Sequence, residues 1–189
     1  MGSRLGKKHR KFKCGCISRD SYHRKTNLKF SLFGPCEVGK TALQNRIVND
    51  SFIEEYTKTI TKNCLEIKRT VDGEEITINI VDMSGEEKFR SVNKLFYIHS
   101  DALLMVFALD DKNSFEELKQ RYNYTSNINN EYWSKAYLIG NKKDKCQPEV
   151  SEKEARKFAN EINGKFFIVS CLTNEGIEEM IDIIVKEFE

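Results

Sequence analysis

Several things missing from this 189-residue chain narrow what it can be. No apolar run approaches the roughly 18 residues that cross a bilayer as a helix, and no apolar stretch follows the basic N-terminus as a secretory leader requires. The chain is therefore expected in the cytoplasm or peripherally on the cytoplasmic face of a membrane. The six cysteines, Cys14, Cys16, Cys36, Cys64, Cys146 and Cys171, include no C-x-x-C pair of zinc or redox type. They read as free thiols in a reducing compartment. His9, His23 and His99 stand too far apart for a ligand spacing. No internal repeat or low-complexity tract occurs beyond the basic start. With 39% hydrophobic residues the length suffices for one sizeable core and is short for two.

What is present begins with an uneven charge. Residues 1–25 hold nine Lys and Arg against Asp20 alone, a net +8, whereas the whole chain is +2 and the remainder therefore −6. The basic element is a tail and not a face of the fold. Residues 1–26 are expected to form a disordered basic extension, and residues 27–189 the folded domain. Gly2 follows the initiator Met and Ser3 is small, as N-myristoylation prefers, although Gly6 stands where the strict motif wants Ser or Thr. With Cys14 or Cys16 as palmitoylation candidates, the tail is expected to hold the protein on an anionic membrane. The alternative is a basic tail that binds nucleic acid or nothing.

The strongest local signal is Gly34-Pro35-Cys36-Glu37-Val38-Gly39-Lys40-Thr41, which fits G-x-x-x-x-G-K-[ST] after the short apolar strand Leu28–Phe33. This is a phosphate-binding loop by mechanism: glycines let backbone N–H groups curl round phosphate oxygens, the Lys40 ammonium neutralises them, and the Thr41 hydroxyl can ligate Mg²⁺. A helix starting near Lys40, marked by Ala42, Leu43, Ile47 and Val48, adds its positive N-terminal end.

Downstream, Ser51–Asn63 is polar and Thr-rich and reads as a long loop. Cys64–Val71 and Glu75–Val81 alternate at period two around Asp72-Gly73, which predicts a β-hairpin. The second hairpin strand runs into Asp82-Met83-Ser84-Gly85, whose carboxylate would lie beside the phosphate loop if the two strands are sheet neighbours. Glu86–Ser100 is expected to be partly helical. Ala102–Leu109 reads as a buried parallel strand, and Ser114 with Glu117 as a capping box on a helix carrying Phe115, Leu118 and Tyr122. A strand at Ala136–Gly140 precedes Asn141-Lys142-Lys143-Asp144. Ser151 with Glu154 caps a further helix striped by Ala155, Phe158, Ala159 and Ile162. The last strand is Lys165–Val169 and the last helix Gly176–Phe188. Strands alternating with helices in this order predict an α/β fold with a mostly parallel sheet and one antiparallel edge.

The phosphate loop, a threonine in the following loop, D-x-x-G at Asp82–Gly85, N-K-x-D at Asn141–Asp144 and a serine near the end resemble, in order and spacing, a Ras-superfamily small GTPase, over about residues 27–189. The resemblance implies the P-loop NTPase G domain, a six-stranded sheet with helices on both faces. It implies GTP or GDP bound with Mg²⁺ through Glu37, Val38, Gly39, Lys40, Thr41 and Ala42. It also implies Thr41 and Thr59 as metal ligands with Asp82 acting through water, and Lys40 and the Gly85 N–H on the γ-phosphate. Thr57 and Thr61 are candidates by composition as well, and the spacing from Tyr56 and Lys40 selects Thr59. Tyr56 would cover the nucleotide, Phe52 stack on the guanine, Asn141 contact the base, and the Lys142 stem lie along the nucleotide. Ser170-Cys171-Leu172 matches the family's S-A-K, with the Cys171 amide toward the guanine oxygen and Leu172 replacing the usual lysine. A carboxylate at Asp144 can accept from guanine N1–H and the exocyclic amine, a donor pair that adenine lacks.

Two departures touch hydrolysis. Glu86 stands where the family's water-orienting glutamine is usual, and an ionised carboxylate only accepts. About 5 Å from a phosphate charge it would meet roughly 3 kcal/mol of repulsion at an effective dielectric of 20. Cys36 and Glu37 replace residues that are small in many relatives. Gly85–Ser91 is similar to the Rab switch region, although Val81 stands where Rab proteins usually carry tryptophan. Asp144–Ser170 is too short for the Rho family's extra helix. The chain stops at Phe188-Glu189 without a cysteine, so no prenylated tail is expected. The expectation is a weak GTP hydrolase, with Glu86, Lys40 and Gly85 at the reaction, that switches partners: an exchange factor, an activating protein and effectors. Its rival is a scaffold that holds nucleotide without cycling. An ATP-dependent kinase fits N-K-x-D poorly.

Overall fold

In a computed structural model, the residues described are 25–53, 63–71, 73–83, 97–126, 133–145 and 147–188. Six strands form one sheet, β1 (Asn27–Phe33), β2 (Asn63–Val71), β3 (Glu74–Asp82), β4 (Ser100–Ala108), β5 (Trp133–Asn141) and β6 (Lys165–Ile168), in the order β2-β3-β1-β4-β5-β6. The hairpin strand β2 pairs antiparallel with β3, and the remaining neighbours are parallel. The four described helices are α1 (Lys40–Asn49), α2 (Lys112–Ser126), α3 (Glu152–Glu161) and α4 (Ile177–Lys186). The α/β class, the antiparallel edge and the six-stranded sheet are as expected from the sequence.

The alternation of side chains along β4 divides the interior in two. Ala102, Leu104, Val106 and Ala108 join Leu43 and Ile47 of α1 and Met180, Ile181 and Ile184 of α4 on one face. Leu103, Met105, Phe107 and Leu109 join Phe115 and Leu118 of α2 and Ala155, Phe158 and Ala159 of α3 on the other. Both faces being covered explains why β4 has no polar alternation. On the second face Phe107 packs on Phe115 with centroids 4.7 Å apart, and Phe115 meets Phe158 edge-on at 5.8 Å.

Local capping departs from expectation at α2. Ser114 lies inside the helix, and Asp111 caps it, its Oδ1 accepting from the N–H groups of Asn113 at 2.9 Å and Ser114 at 3.2 Å. The Ser114 hydroxyl instead ties the helix to β4, accepting from Ala108 N–H at 3.0 Å and donating to Asp111 O at 2.8 Å. Glu117 pairs with Arg121 one turn on. An aspartate three residues upstream outcompetes serine because its carboxylate also meets the positive helix end. Ser151 does cap α3, accepting from Glu154 N–H at 3.3 Å, but the Glu154 carboxylate reaches across to Lys112 and leaves the box half closed. The strand at Ala136–Gly140 is longer than read, running from Trp133 to Asn141, and the last helix is bounded by Ile177 and Lys186.

Candidate functional site

The C-terminal ends of β1, β3 and β5 converge where the conspicuous motifs of the sequence lie. The parallel register sets Phe30 against Ile80 and Ser31 against Val81, so β1 and β3 finish together and release Gly34 and Asp82 at the same edge. The Thr41 hydroxyl donates to Asp82 Oδ2 at 2.5 Å, and Asp82 is fully buried.

The loop between β1 and α1 is shaped by two glycines. A Cβ on Gly34, at φ 151°, would lie 2.2 Å from Val106 O. One on Gly39, at φ 94°, would lie 2.2 Å from Asn141 Nδ2. No L side chain fits either place. Between them Glu37 is exposed with φ 63°, and Val38 is buried. Lys40 opens α1 with its ammonium turned back on the loop, donating to Pro35 O. Burial lowers its pKa from 10.5 to about 8, against the opposing pull of the Asp82 carboxylate. Among the described residues no carboxylate forms an ion pair with this ammonium, and the Asp82 pull does not offset its desolvation, so a bound anion would relieve the cost.

At the other end of the site, β5 delivers Asn141 as its last residue. The Asn141 amide donates to Val38 O at 2.9 Å, and its oxygen accepts from Cys171 N–H at 3.1 Å. One side chain thereby ties the phosphate loop to the 170–172 turn. Ser170 Oγ donates to Asp144 Oδ1 at 2.5 Å and accepts from Thr173 N–H at 3.1 Å, which fixes the Asp144 carboxylate. Lys142, at φ 66°, places Nζ 3.6 Å from Asp110 Oδ1. Burial pushes the Cys171 thiol up to about 12, so it stays protonated and structural. Leu172 is 49% exposed, and Phe52 is half-buried under the Arg46 guanidinium, 5.7 Å from its centroid.

Of the residues singled out in the sequence, Glu37, Val38, Gly39, Lys40, Thr41, Ala42, Asp82, Asn141, Lys142, Asp144, Ser170, Cys171 and Leu172 thus gather at one end of the sheet. Tyr56, Thr59, Gly85, Glu86, Gly2, Cys14 and Cys16 lie outside the described residues. Two arginines escaped sequence reasoning. Arg46 donates to the carbonyls of Cys171 and Leu172. Arg121, paired with Glu117, reaches Gly34 O at 3.5 Å. Both are spaced like ordinary helix-surface cations, and their targets lie up to 126 residues away, so no local signal could have found them.

The donor set suits a hard divalent cation: the Thr41 hydroxyl and the Asp82 carboxylate are in contact, both offer oxygen, and the carboxylate supplies negative charge. Thr41 and Asp82 are the described residues that would hold Mg²⁺.

A family model, the Ras family, matches residues 29–189. The chain is 30% identical over 165 residues to the Ras-related protein Rab-18 of Lymnaea stagnalis, covering 85% of this chain and 82% of that one. To the Ypt/Rab-type GTPase YPT7 of Saccharomyces cerevisiae it is 32% identical over 173 residues, 88% and 83% of the two chains. To the mouse Ras-related protein Rab-34 it is 31% identical over 179 residues, 90% and 68%. With the glycine-rich loop, the Thr41–Asp82 hydrogen bond and the Asn141 bridge on one sheet edge, the chain belongs to the Ras family as a Rab-like small GTPase.

Proposed function

We propose that this protein is a guanine-nucleotide switch that binds GTP and GDP with Mg²⁺ and hydrolyses GTP slowly, working in membrane-associated signalling or trafficking. The observation that carries the reading is the Asn141 bridge together with the Ser170-held Asp144 carboxylate, 2.5 Å from the serine hydroxyl. A carboxylate oriented beside a phosphate loop matches the N1–H and exocyclic amine of guanine and has no matching donor pair on adenine.

Within this reading Lys40 neutralises the β- and γ-phosphates, regaining in the anion the partner its burial demands. Mg²⁺ held by Thr41, Asp82 and Thr59 would supply charge neutralisation between the phosphates. Phe52 stacks on the base, Tyr56 covers the nucleotide and the Gly85 N–H meets the γ-phosphate, whose loss on hydrolysis releases the surrounding loops. An exchange factor, an activating protein and effectors then read the two states. Residues 1–26 form the basic extension that places the domain of residues 27–189 on an anionic cytoplasmic membrane.

Competition binding on purified protein tests the assignment. ATP should bind at least about a thousandfold more weakly than GTP or GDP, since a site of buried hydrogen-bonding groups rejects a mismatched base by 10⁴ or more. Comparable ATP affinity would overturn it. A second reading, a scaffold that holds nucleotide without cycling, draws on Glu86 and Glu37 and is separated by single-turnover GTP hydrolysis.

A further inference from the structure

Arg46 belongs to α1 but works on two other segments. Its Nε donates to Cys171 O at 2.6 Å, Nη2 to Leu172 O at 2.8 Å and Nη1 to Asp50 O at 3.1 Å. The side chain is 15% exposed, and its approach to the Asp50 carboxylate, 3.6 Å, is longer than a hydrogen bond. The cation is therefore held chiefly by three backbone carbonyls from two stretches of chain, with the Phe52 ring 5.7 Å beneath it. A planar guanidinium fixes several acceptors in one mutual geometry, which an ammonium on a flexible stem does not.

Two of those carbonyls belong to the turn whose remaining polar groups are aimed at the base-reading residues. Cys171 N–H donates to Asn141 Oδ1, and Ser170 Oγ to Asp144 Oδ1. Gripping the turn from outside sets where those donors stand. We propose that Arg46 is a positioning residue for base selectivity: it clamps Cys171 and Leu172 so that Ser170 presents the Asp144 carboxylate in its reading position, and it steadies Phe52 at the same edge. This rests on the guanine-nucleotide reading above. Arg46 itself touches no described group of the phosphate loop.

The test uses full-length protein and two nucleotides, GDP and IDP, which differ only in the 2-amino group that Asp144 would read. Dissociation constants for both, with thermal midpoints, are measured for wild type, Arg46→Met and Arg46→Lys. Arg156→Met, which removes an exposed arginine paired with Glu152, is the control. The expected result is a GDP-over-IDP preference that falls about tenfold in Arg46→Met, the size of one charge-assisted hydrogen bond. IDP affinity should move much less, the Arg46→Lys preference should fall by an intermediate amount, and the Arg156→Met preference should not change. A merely structural role would weaken both nucleotides together and leave the ratio intact, and that outcome overturns the proposal. Should Arg46→Met fail to fold, Arg46→Lys decides alone, an unchanged ratio counting against. If wild type binds no GDP, the nucleotide reading itself has failed; if it binds GDP and the ratio ignores Arg46, only this inference has.

Discussion

Lys40 concentrates the energetics of the site in one atom. With its pKa lowered from 10.5 to about 8 by burial, the nucleotide-free fold carries a charge that the unfolded chain would hold more cheaply. Below pH 8 both states are protonated and the penalty is fully present. Between pH 8 and 10.5 the unfolded chain still holds the proton that the fold has released, so the fold gains stability relative to the unfolded state as pH rises through that window. Lys40→Met should therefore stabilise the nucleotide-free protein toward urea at pH 7 by about 3 kcal/mol, one pKa unit being about 1.4 kcal/mol. The advantage should fade by about pH 10.5, and the same variant should lose nucleotide. Equal stability of the two proteins at pH 7 would mean that the ammonium is not strained. Glu86 supplies the second test at this scale. Because a carboxylate cannot donate to the attacking water, Glu86→Gln should speed single-turnover GTP hydrolysis from a wild-type rate at or below roughly 10⁻⁴ s⁻¹. An unchanged or slower mutant would show that Glu86 is not the limiting group.

Among the elements, α2 shows how a helix end can be read correctly in type and wrongly in detail. A capping box over Ser114 and Glu117 satisfies the sequence pattern, but Asp111 takes the exposed N–H groups and frees Ser114 to bond β4. Asp111→Ala should cost about 1 kcal/mol, a fall of about 2–4 °C in thermal midpoint for a domain of this size. Ser114→Ala, which strands the buried Ala108 N–H, should cost at least as much. A Ser114→Ala variant that unfolds earlier while Asp111→Ala is neutral would restore serine as the cap. The strands were legible for a different reason. Period-two alternation in β2 and β3 and the unbroken apolar run of β4 report directly whether one face or two are covered. Their register was not legible, because β1 and β3 pair across residues about which neither strand's own pattern says anything.

For the whole molecule, the charge division between residues 1–25, at +8, and the remainder, at −6, supports anchoring through the N-terminus. Lys25 is the first described residue of this stretch, and its Nζ lies 2.5 Å from Asp101 Oδ1 at the start of β4, at the end of the sheet opposite the phosphate loop. One myristoyl chain gives a partition constant of only about 10⁴ M⁻¹, so anchoring through Gly2 would need a second chain or the basic cluster as well. A tagged Gly2→Ala, Cys14→Ser, Cys16→Ser triple variant should leave the membrane fraction. Retention equal to wild type would exclude lipid anchoring at this end. The amino-acid sequence by itself determined the hairpin and the α/β order and marked the glycine-rich loop before α1 and Asn141 and Asp144 as candidates for phosphate and base contact, because motif spacing and hydrophobic period are local properties carried by neighbouring side chains. Tertiary structure alone decided that Asn141 would bridge Val38 and Cys171, and that Asp82 would meet Thr41. It alone also decided that Arg46 would grip a turn 125 residues away. Those contacts follow from which strands lie side by side and where they end, and sheet order is a property of the packed whole that no stretch of sequence states.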